Sequence, residues 1–165
     1  MRKGASPASR ERNAVSHYFE DLPVGYEHVT RGRTITETDV VNFAGLSGDY
    51  NEIHTNDEYA RQTRFGRRVV HGMLTLSISS GLSVRTNLLL DSIIAFYGID
   101  KLRFQKPVFA GDTIHVRKRV IEAVAKGAEM GLVTFEAKVV NQRGETVLSY
   151  HEKLVVKQRG AAPGA

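Results

Sequence analysis

The chain has 165 residues, of which 41% are hydrophobic and 25% are charged, as in a soluble globular protein of one domain. It contains no cysteine, which excludes disulfide bonds, thiolate nucleophiles and cysteine-ligated metal sites. No apolar run approaches the roughly 20 residues that cross a membrane, and the N-terminus lacks the apolar segment of a secretory signal. We therefore expect a cytoplasmic protein without a membrane partner.

The net charge of +5 is concentrated at the two ends of the chain. Residues 1–12 carry an excess of three positive charges and Lys157 and Arg159 supply the other two, while residues 13–156 balance with 17 basic and 17 acidic side chains. A nucleic-acid-binding domain would carry its excess charge on a folded face. This distribution therefore argues against a nucleic-acid partner.

The two ends of the sequence also differ from the middle in composition. Residues 1–14 and 159–165 are small, polar and charged, and such segments cannot bury enough apolar surface to fold. We therefore predict disordered tails on either side of a single domain that spans residues 15–158.

A short helix is predicted between Thr36 and Gly48. Thr36 and Asp39 resemble a capping box, and apolar residues then recur at helical spacing. Thr55 and Glu58 form a second capping box, which would open another short helix. The polar residues between the two helices are therefore predicted to form a loop.

The segment Val69–Val84 is apolar nearly all round a helix, which predicts a buried helix. From Ile93 onward the apolar residues alternate with polar ones, which predicts about four long antiparallel strands, and a further strand is expected near residues 27–35. Turn signals separate the long strands at residues 110–112, 126–127 and 143–145. One buried helix and one antiparallel sheet predict an α+β fold in which the sheet wraps around the helix.

The predicted loop contains a carboxylate and an imidazole. Asp49 and His54 are too far out of phase to meet on one helix or on one strand, so they can converge only on an irregular segment. Together they could transfer protons at neutral pH, because the carboxylate orients the ring and tunes its pKa. The alternative is structural, since Asp, Asn and Thr in such loops commonly cap helices.

Three segments of the chain resemble one family. The residues from Phe43 to His54 resemble the hydratase signature of the MaoC-like family, which includes R-specific enoyl-CoA hydratases. The sequences TRFGRRVVHGML, at residues 63–74, and LRFQKPVFAGDTI, at residues 102–114, resemble the segments that follow in that family. The resemblance implies a hot-dog fold, in which an antiparallel sheet wraps around a long central helix. It also implies a homodimer or a higher assembly of dimers.

The resemblance further implies a reaction, the reversible hydration of a trans-2-enoyl-CoA to an R-3-hydroxyacyl-CoA. No cofactor is expected besides the coenzyme A that the substrate carries. Asp49 and His54 would activate the water, Asn51 would fix the loop, the backbone N–H of Gly72 would bind the thioester oxygen, and Ser80 would lie near the catalytic pair. A glycine at the start of a buried helix suits this role, because it permits close approach to free N–H groups.

One residue departs from the signature. The family usually has proline where this chain has Glu52, which could point towards His54 or, as we expect, towards solvent. The substitution leaves the Asp49, Asn51 and His54 pattern intact.

Other polar residues have weaker assignments. Arg64, Arg67 and Arg68, together with Arg61, form a basic cluster that could bind the phosphates of coenzyme A or could be a solvated face. His71 is expected to fix the entry of the long helix. A metal site built from Asp49, His54 and His71 lacks a recognised ligand spacing, so we predict no metal.

Two further functions stay open from the sequence. The first is a hot-dog acyl-CoA thioesterase that uses Asp49 or Glu52, and the second is a non-catalytic acyl-binding subunit. The length and branching of the acyl chain stay open as well, although the bulky apolar segment at residues 87–98 is expected to shape its pocket.

Overall fold

The computed structural model describes residues 16–161, so the predicted tail at residues 1–14 and the last four residues lie outside the described part. A 3-10 turn, Phe19–Asp21, comes first. Four helices follow: α1, Glu37–Ser47; α2, Glu52–Thr55; α3, Asp57–Arg61; and α4, Gly72–Val84. The six strands are β1, Glu27–Val29; β2, Arg33–Thr34; β3, Ile93–Phe104; β4, Thr113–Lys126; β5, Met130–Asn141; and β6, Thr146–Lys157.

The strands form one antiparallel sheet in the order β1-β4-β5-β6-β3, with β2 also paired to β4. The four predicted long strands are thereby confirmed. The predicted turns between them are also confirmed, and each contains a glycine with positive φ: Gly111 at +93°, Gly127 at +78° and Gly144 at +77°. Glycine suits these turns because it adopts this conformation without a steric penalty.

Helix α4 packs across the inner face of the sheet. Its buried residues Leu74, Ile78 and Leu82 lie in one core cluster with strand residues such as Val116 and Val139. The prediction that the helix is buried all round was wrong for a single chain, because Met73 and Val84 are 53% and 67% exposed. The small residues of the helix, Ser77 and Gly81, are exposed too.

The helices before α4 flank the polar loop that contains Asp49. The Thr36 capping box is confirmed, since its side chain accepts from the N–H of Asp39 and the Asp39 carboxylate accepts from the N–H of Thr36. The second capping box was wrong. Thr55 is the last residue of α2, and Asn56 caps α3 by accepting from two N–H groups. The predicted loop is correspondingly shorter, because His54 lies in the helical turn α2.

Candidate active site

Asp49 lies in the connection that follows α1. The helix ends at Gly48, which has a φ of +75° and turns the chain away from the helix axis. The Asp49 carboxylate then accepts a hydrogen bond from the N–H of Asn51 at 3.2 Å, and the Asn51 side chain accepts from the N–H of Ile53 at 3.1 Å. Asn51 is thus the N-cap of α2, so the two side chains fix the loop between the helices.

His54 is oriented by the segment that leads into α4. Its Nδ1 lies 2.7 Å from the carbonyl oxygen of Val69, and because a carbonyl can only accept, Nδ1 carries the proton. The other ring nitrogen, Nε2, is therefore left as a base. Burial lowers the pKa of His54 below its usual value, and the hydrogen bond to Val69 only partly offsets this effect.

His71 joins the loop to the start of α4. Its side chain is buried, and its Nε2 donates to the backbone carbonyl of Asp49 at 3.0 Å. Its ring lies against the ring of His54, with 3.9 Å between the centroids, and against Phe43 at 5.1 Å. His71 therefore positions both members of the predicted catalytic pair, beyond its expected role at the helix entry.

Gly72 is the first residue of α4, and this end of the helix is open. The N-cap residue His71 makes no side-chain hydrogen bond to the first turn, and within residues 16–161 the N–H of Gly72 has no hydrogen-bond partner. A Cβ at position 72 would lie 2.8 Å from the ring of Phe104, so the backbone is closely approached there. Free N–H groups at a helix N-terminus favour binding of a negatively charged oxygen.

These groups face one cavity of about 410 Å³. Asp49, His54, His71 and Gly72 line it together with the chain around Phe104. The cavity therefore brings together a general base, a carboxylate and an open helix end, which suits addition of water to an activated carbonyl compound.

Comparison with known proteins identifies the family. Residues 23–142 match the model of the MaoC-like domain, which is more than half of the chain. The chain belongs to the MaoC-like domain family. It is 36% identical over 147 residues to the (R)-specific enoyl-CoA hydratase of Rhodospirillum rubrum, a match that covers 88% of this chain and 96% of that protein. It is 46% identical over 115 residues to Protein MaoC of Klebsiella aerogenes, which covers 70% of this chain but spans only 34% of the relative.

Solved structures give the fold. The crystal structure of the MaoC-like dehydratase from Rhodospirillum rubrum matches with a TM-score of 0.77 at 29% identity, covering 87% of this chain and 99% of that one. A Mycobacterium tuberculosis protein with a double hot-dog fold also matches with a TM-score of 0.77, at 20% identity, covering 91% of this chain and 47% of that one. The predicted α+β hot-dog fold is thereby confirmed.

Glu52 occupies the position at which the family signature has proline. It is the first residue of α2, where proline is favoured by its fixed φ and an acidic residue is favoured by the helix dipole. The Glu52 side chain is exposed and accepts from Asn56 at 3.0 Å, so it faces away from His54 as expected. Glu52 therefore suits the first position of α2, as the proline of the family signature would.

The predicted arginines separate in the structure. Arg64 lines the cavity, whereas the guanidinium of Arg67 lies 3.9 Å from the ring centroid of Phe109. The guanidinium of Arg68 forms ion pairs with the carboxylates of Glu37 and Asp57, so its charge is balanced within the chain. Only Arg64 of these three is therefore placed along the cavity.

Ser80 is not brought to the catalytic pair within one chain. It lies two turns beyond Gly72, about 12 Å along the helix axis, and lines a second cavity. The physical reason is the rise of about 1.5 Å per residue along α4, which carries its second half away from Gly72. The apolar segment at residues 87–98 contributes to the same second cavity.

The site also contains groups that could ligate a metal. One ligand atom each from Asp49, His54 and His71 lies within 4.8 Å of the others. Each histidine uses one ring nitrogen for a backbone carbonyl, which leaves one nitrogen per ring and the carboxylate. This arrangement equally serves proton transfer by a single neutral histidine.

Two residues that contribute to the candidate active site could not be recognised from the sequence. Val69 orients His54 through its backbone carbonyl, which no side-chain pattern records. Phe104 covers Gly72 from a strand 32 positions away, and only the position of its strand beside α4 reveals this contact.

In the described part of the chain, no helix is long and apolar enough to cross a membrane.

Proposed function

We propose that the protein is a hydro-lyase that reversibly hydrates a trans-2-enoyl-CoA to an R-3-hydroxyacyl-CoA. The observation that carries this proposal is the open N-terminus of α4, which lines the same cavity as His54 and the carboxylate of Asp49. The names of relatives support the same reaction class, since they include an (R)-specific enoyl-CoA hydratase and a 3-hydroxybutyryl-CoA dehydratase.

The residues act in the following way in this proposal. Nε2 of His54 accepts a proton from a water molecule that Asp49 helps to orient, and the water oxygen bonds to C3 of the substrate. The electron pair of the double bond moves towards the thioester, whose oxygen is stabilised by the N–H of Gly72 and the dipole of α4. The protonated Nε2 of His54 then returns the proton to C2, so that one molecule of water has been added and the base is regenerated. Dehydration is the reverse.

Coenzyme A would bind at the mouth of the cavity. Arg64 is exposed there, and among residues 16–161 its guanidinium lies over the ring of Phe65 and has no carboxylate partner, so it is available to a phosphate. Lys106 also lines the cavity, but its ammonium is 2.6 Å from a carboxylate oxygen of Glu145. Arg64 is therefore the preferred phosphate ligand.

A homodimer is proposed from the exposed edge of the sheet. Strand β3 pairs only with β6 within residues 16–161, and its side chains Ile94, Phe96 and Tyr97 are 47%, 50% and 68% exposed. A long apolar edge strand invites pairing with another chain. We expect two copies to associate through β3.

The reaction is tested with purified protein and a four-carbon trans-2-enoyl-CoA. Hydration removes the enoyl absorbance without releasing a free thiol. We expect Asp49→Asn and His54→Gln each to lower kcat by about 10²–10⁴-fold, the usual contribution of a general base. Glu52→Gln is the matched control, because that side chain faces outward and should leave kcat unchanged.

Other outcomes would replace the proposal. Release of free thiol from a saturated acyl-CoA would identify a thioesterase. Tight binding of acyl-CoA without turnover in either assay would identify a non-catalytic acyl-binding subunit. Wild-type rates in both active-site variants would reject the assigned residues.

A further inference from the structure

A second cavity lies at the C-terminal end of α4. It has a volume of about 190 Å³ and is lined by the end of α4, the segment that follows it and the inner face of the sheet. It shares no lining residue with the first cavity. Its wall is mostly apolar and includes Val84, Leu88, Leu89, Ile93, Phe96 and Leu154.

An ion pair lies in the wall of this apolar cavity. Lys118 of β4 and Glu152 of β6 both line it, and their side chains are only 6% and 3% exposed. The ammonium donates to the carboxylate. Both residues occupy inward-facing positions of strands whose other inward residues are largely apolar. The inner face of the sheet would therefore be continuous and apolar without them.

A contribution to the stability of the fold does not readily explain why this ion pair is present. Removing two charges from water costs more than their attraction usually returns, and well-packed apolar residues commonly serve as well or better. Lys118 and Glu152 could accordingly be replaced by apolar residues without loss of the fold. Their presence needs another explanation, and the cavity supplies one.

The pair has unused hydrogen-bonding capacity. An ammonium has three donors and a carboxylate about four acceptor positions, yet within residues 16–161 the side chains of Lys118 and Glu152 hydrogen-bond only to each other. His28 lies opposite Lys118 in the pairing of β1 with β4, and its buried Nε2 has no partner among these residues. Buried polar groups normally have partners, so this cluster is suited to a polar group that enters the cavity.

We propose that the second cavity binds an apolar chain whose far end carries a hydroxyl group. A hydroxyl both donates and accepts, so it matches an adjacent carboxylate and ammonium. A terminal carboxylate would be repelled by Glu152, and a terminal ammonium would be repelled by Lys118. A methyl end would give neither residue a new hydrogen-bond partner. A cavity of 150 Å³ holds benzene, so this one fits a chain of about six to eight carbons.

The hydroxyl chain has two possible sources. It is either the far end of an ω-hydroxylated acyl thioester, or a free medium-chain alcohol that binds independently of the thioester. The first source rests on the proposed function, whereas the second does not. Both are recognised by the same contacts.

The binding experiment compares two probes of equal size, 1-heptanol and hexyl methyl ether, by isothermal titration calorimetry on the full chain. Only the alcohol can donate a hydrogen bond. Because hydrogen bonds to charged groups are strong, we expect the wild-type protein to bind heptanol about ten- to a hundredfold more tightly than the ether. Equal affinities, or no binding of either probe, would overturn the proposal.

A double variant tests the residues. Lys118→Met with Glu152→Leu removes both charges together, which avoids leaving one buried charge unpaired. We expect it to melt no earlier than the wild type and to lose the preference for heptanol. The matched control is Lys153→Met with Asp100→Asn, which removes a more exposed ion pair between β6 and β3 and should keep the preference. A retained preference in the double variant would refute the assignment.

Kinetics then distinguish the two sources. If the acyl chain is the ligand, an ω-hydroxylated ten-carbon trans-2-enoyl-CoA should show a higher kcat/KM than its methyl-terminated analogue, and only while the Lys118 and Glu152 pair is intact. If a free alcohol is the ligand, heptanol binds but the two thioesters react equally. Absence of hydratase activity with every thioester would reject the proposed function alone, since heptanol binding does not depend on turnover.

Discussion

His71→Phe is the substitution that separates positioning from folding in this site. Phenylalanine retains a flat ring between His54 and Phe43, whose centroids lie 3.9 and 5.1 Å from that of His71. It removes the N–H that donates to the carbonyl of Asp49 at 3.0 Å. The loop that carries the carboxylate thereby loses its only side-chain anchor to α4 among the described residues.

The expected change in stability is small because two effects oppose each other. The lost hydrogen bond contributes about 1 kcal/mol, but the substitution also removes Nδ1 of His71, which is buried without a partner within residues 16–161 and costs about 1–3 kcal/mol. For a chain of this size, 1 kcal/mol shifts Tm by about 2–4 °C. We therefore expect Tm to change by no more than about 4 °C.

The expected change in activity is large. A misplacement of about 1 Å commonly lowers a rate on the order of 10²-fold, and Asp49 would be free to move by that amount. We expect kcat to fall by about that factor while KM changes little, since Arg64 and the cavity mouth are untouched. His151→Phe is the matched control, because His151 lies on the outer face of β6.

Steady-state hydration kinetics and a thermal melt decide the outcome. An unchanged kcat in His71→Phe would show that the anchor is unnecessary. A fall in kcat together with a fall in Tm of more than about 10 °C would show a merely structural role.

The remaining predictions concern the base, the oxyanion site, the substrate and the dimer. Because burial lowers the pKa of His54, its base stays unprotonated as the pH falls towards the usual histidine pKa. The acidic fall of kcat/KM in a pH-rate profile should therefore have its midpoint below pH ~6.5, and a midpoint above ~7 would contradict this. Gly72→Ala places a methyl group 2.8 Å from Phe104 and should lower kcat/KM by about tenfold or more. In the same assay, the double variant Gly72→Ala with Phe104→Ala should regain part of the lost kcat/KM. Arg64→Ala should raise KM several-fold with little change in kcat, and the effect should shrink at high salt, whereas an unchanged KM would remove Arg64 from the phosphate site. Tyr97→Glu on the exposed edge should convert dimer to monomer in light scattering, and an unaltered mass would place the interface elsewhere.

Much of the fold could be predicted because its signals are local. The change from helical spacing to alternation located the four long strands, and the glycine turns gave their ends. The Thr36 capping box was also predicted correctly, since the cap and its partner are three residues apart. The Thr55 prediction failed because Asn56, the next residue, can cap as well, and the path of the chain after α2 decided between them.

The candidate site was predicted only in part. Asp49 and His54 were singled out by their chemistry and spacing, Gly72 was found through resemblance to a family, and the structure lines one cavity with all three. Ser80 was assigned to the same site but lines another cavity, because eight residues of helix place it about 12 Å along the axis from Gly72. The anchoring role of His71 depends on a backbone carbonyl 22 positions away, which has no sequence signature.

The sequence by itself determined the long helices and strands, their order and the residue types available for proton transfer, because periodicity, caps and turns act over a few positions. Only the tertiary structure decided which groups meet. The Val69 carbonyl selects the tautomer of His54, the open start of α4 lines the same cavity as this base, and the inward register of two strands buries Lys118 with Glu152. These contacts join segments far apart in the chain, so they exist only once the sheet and helix have packed.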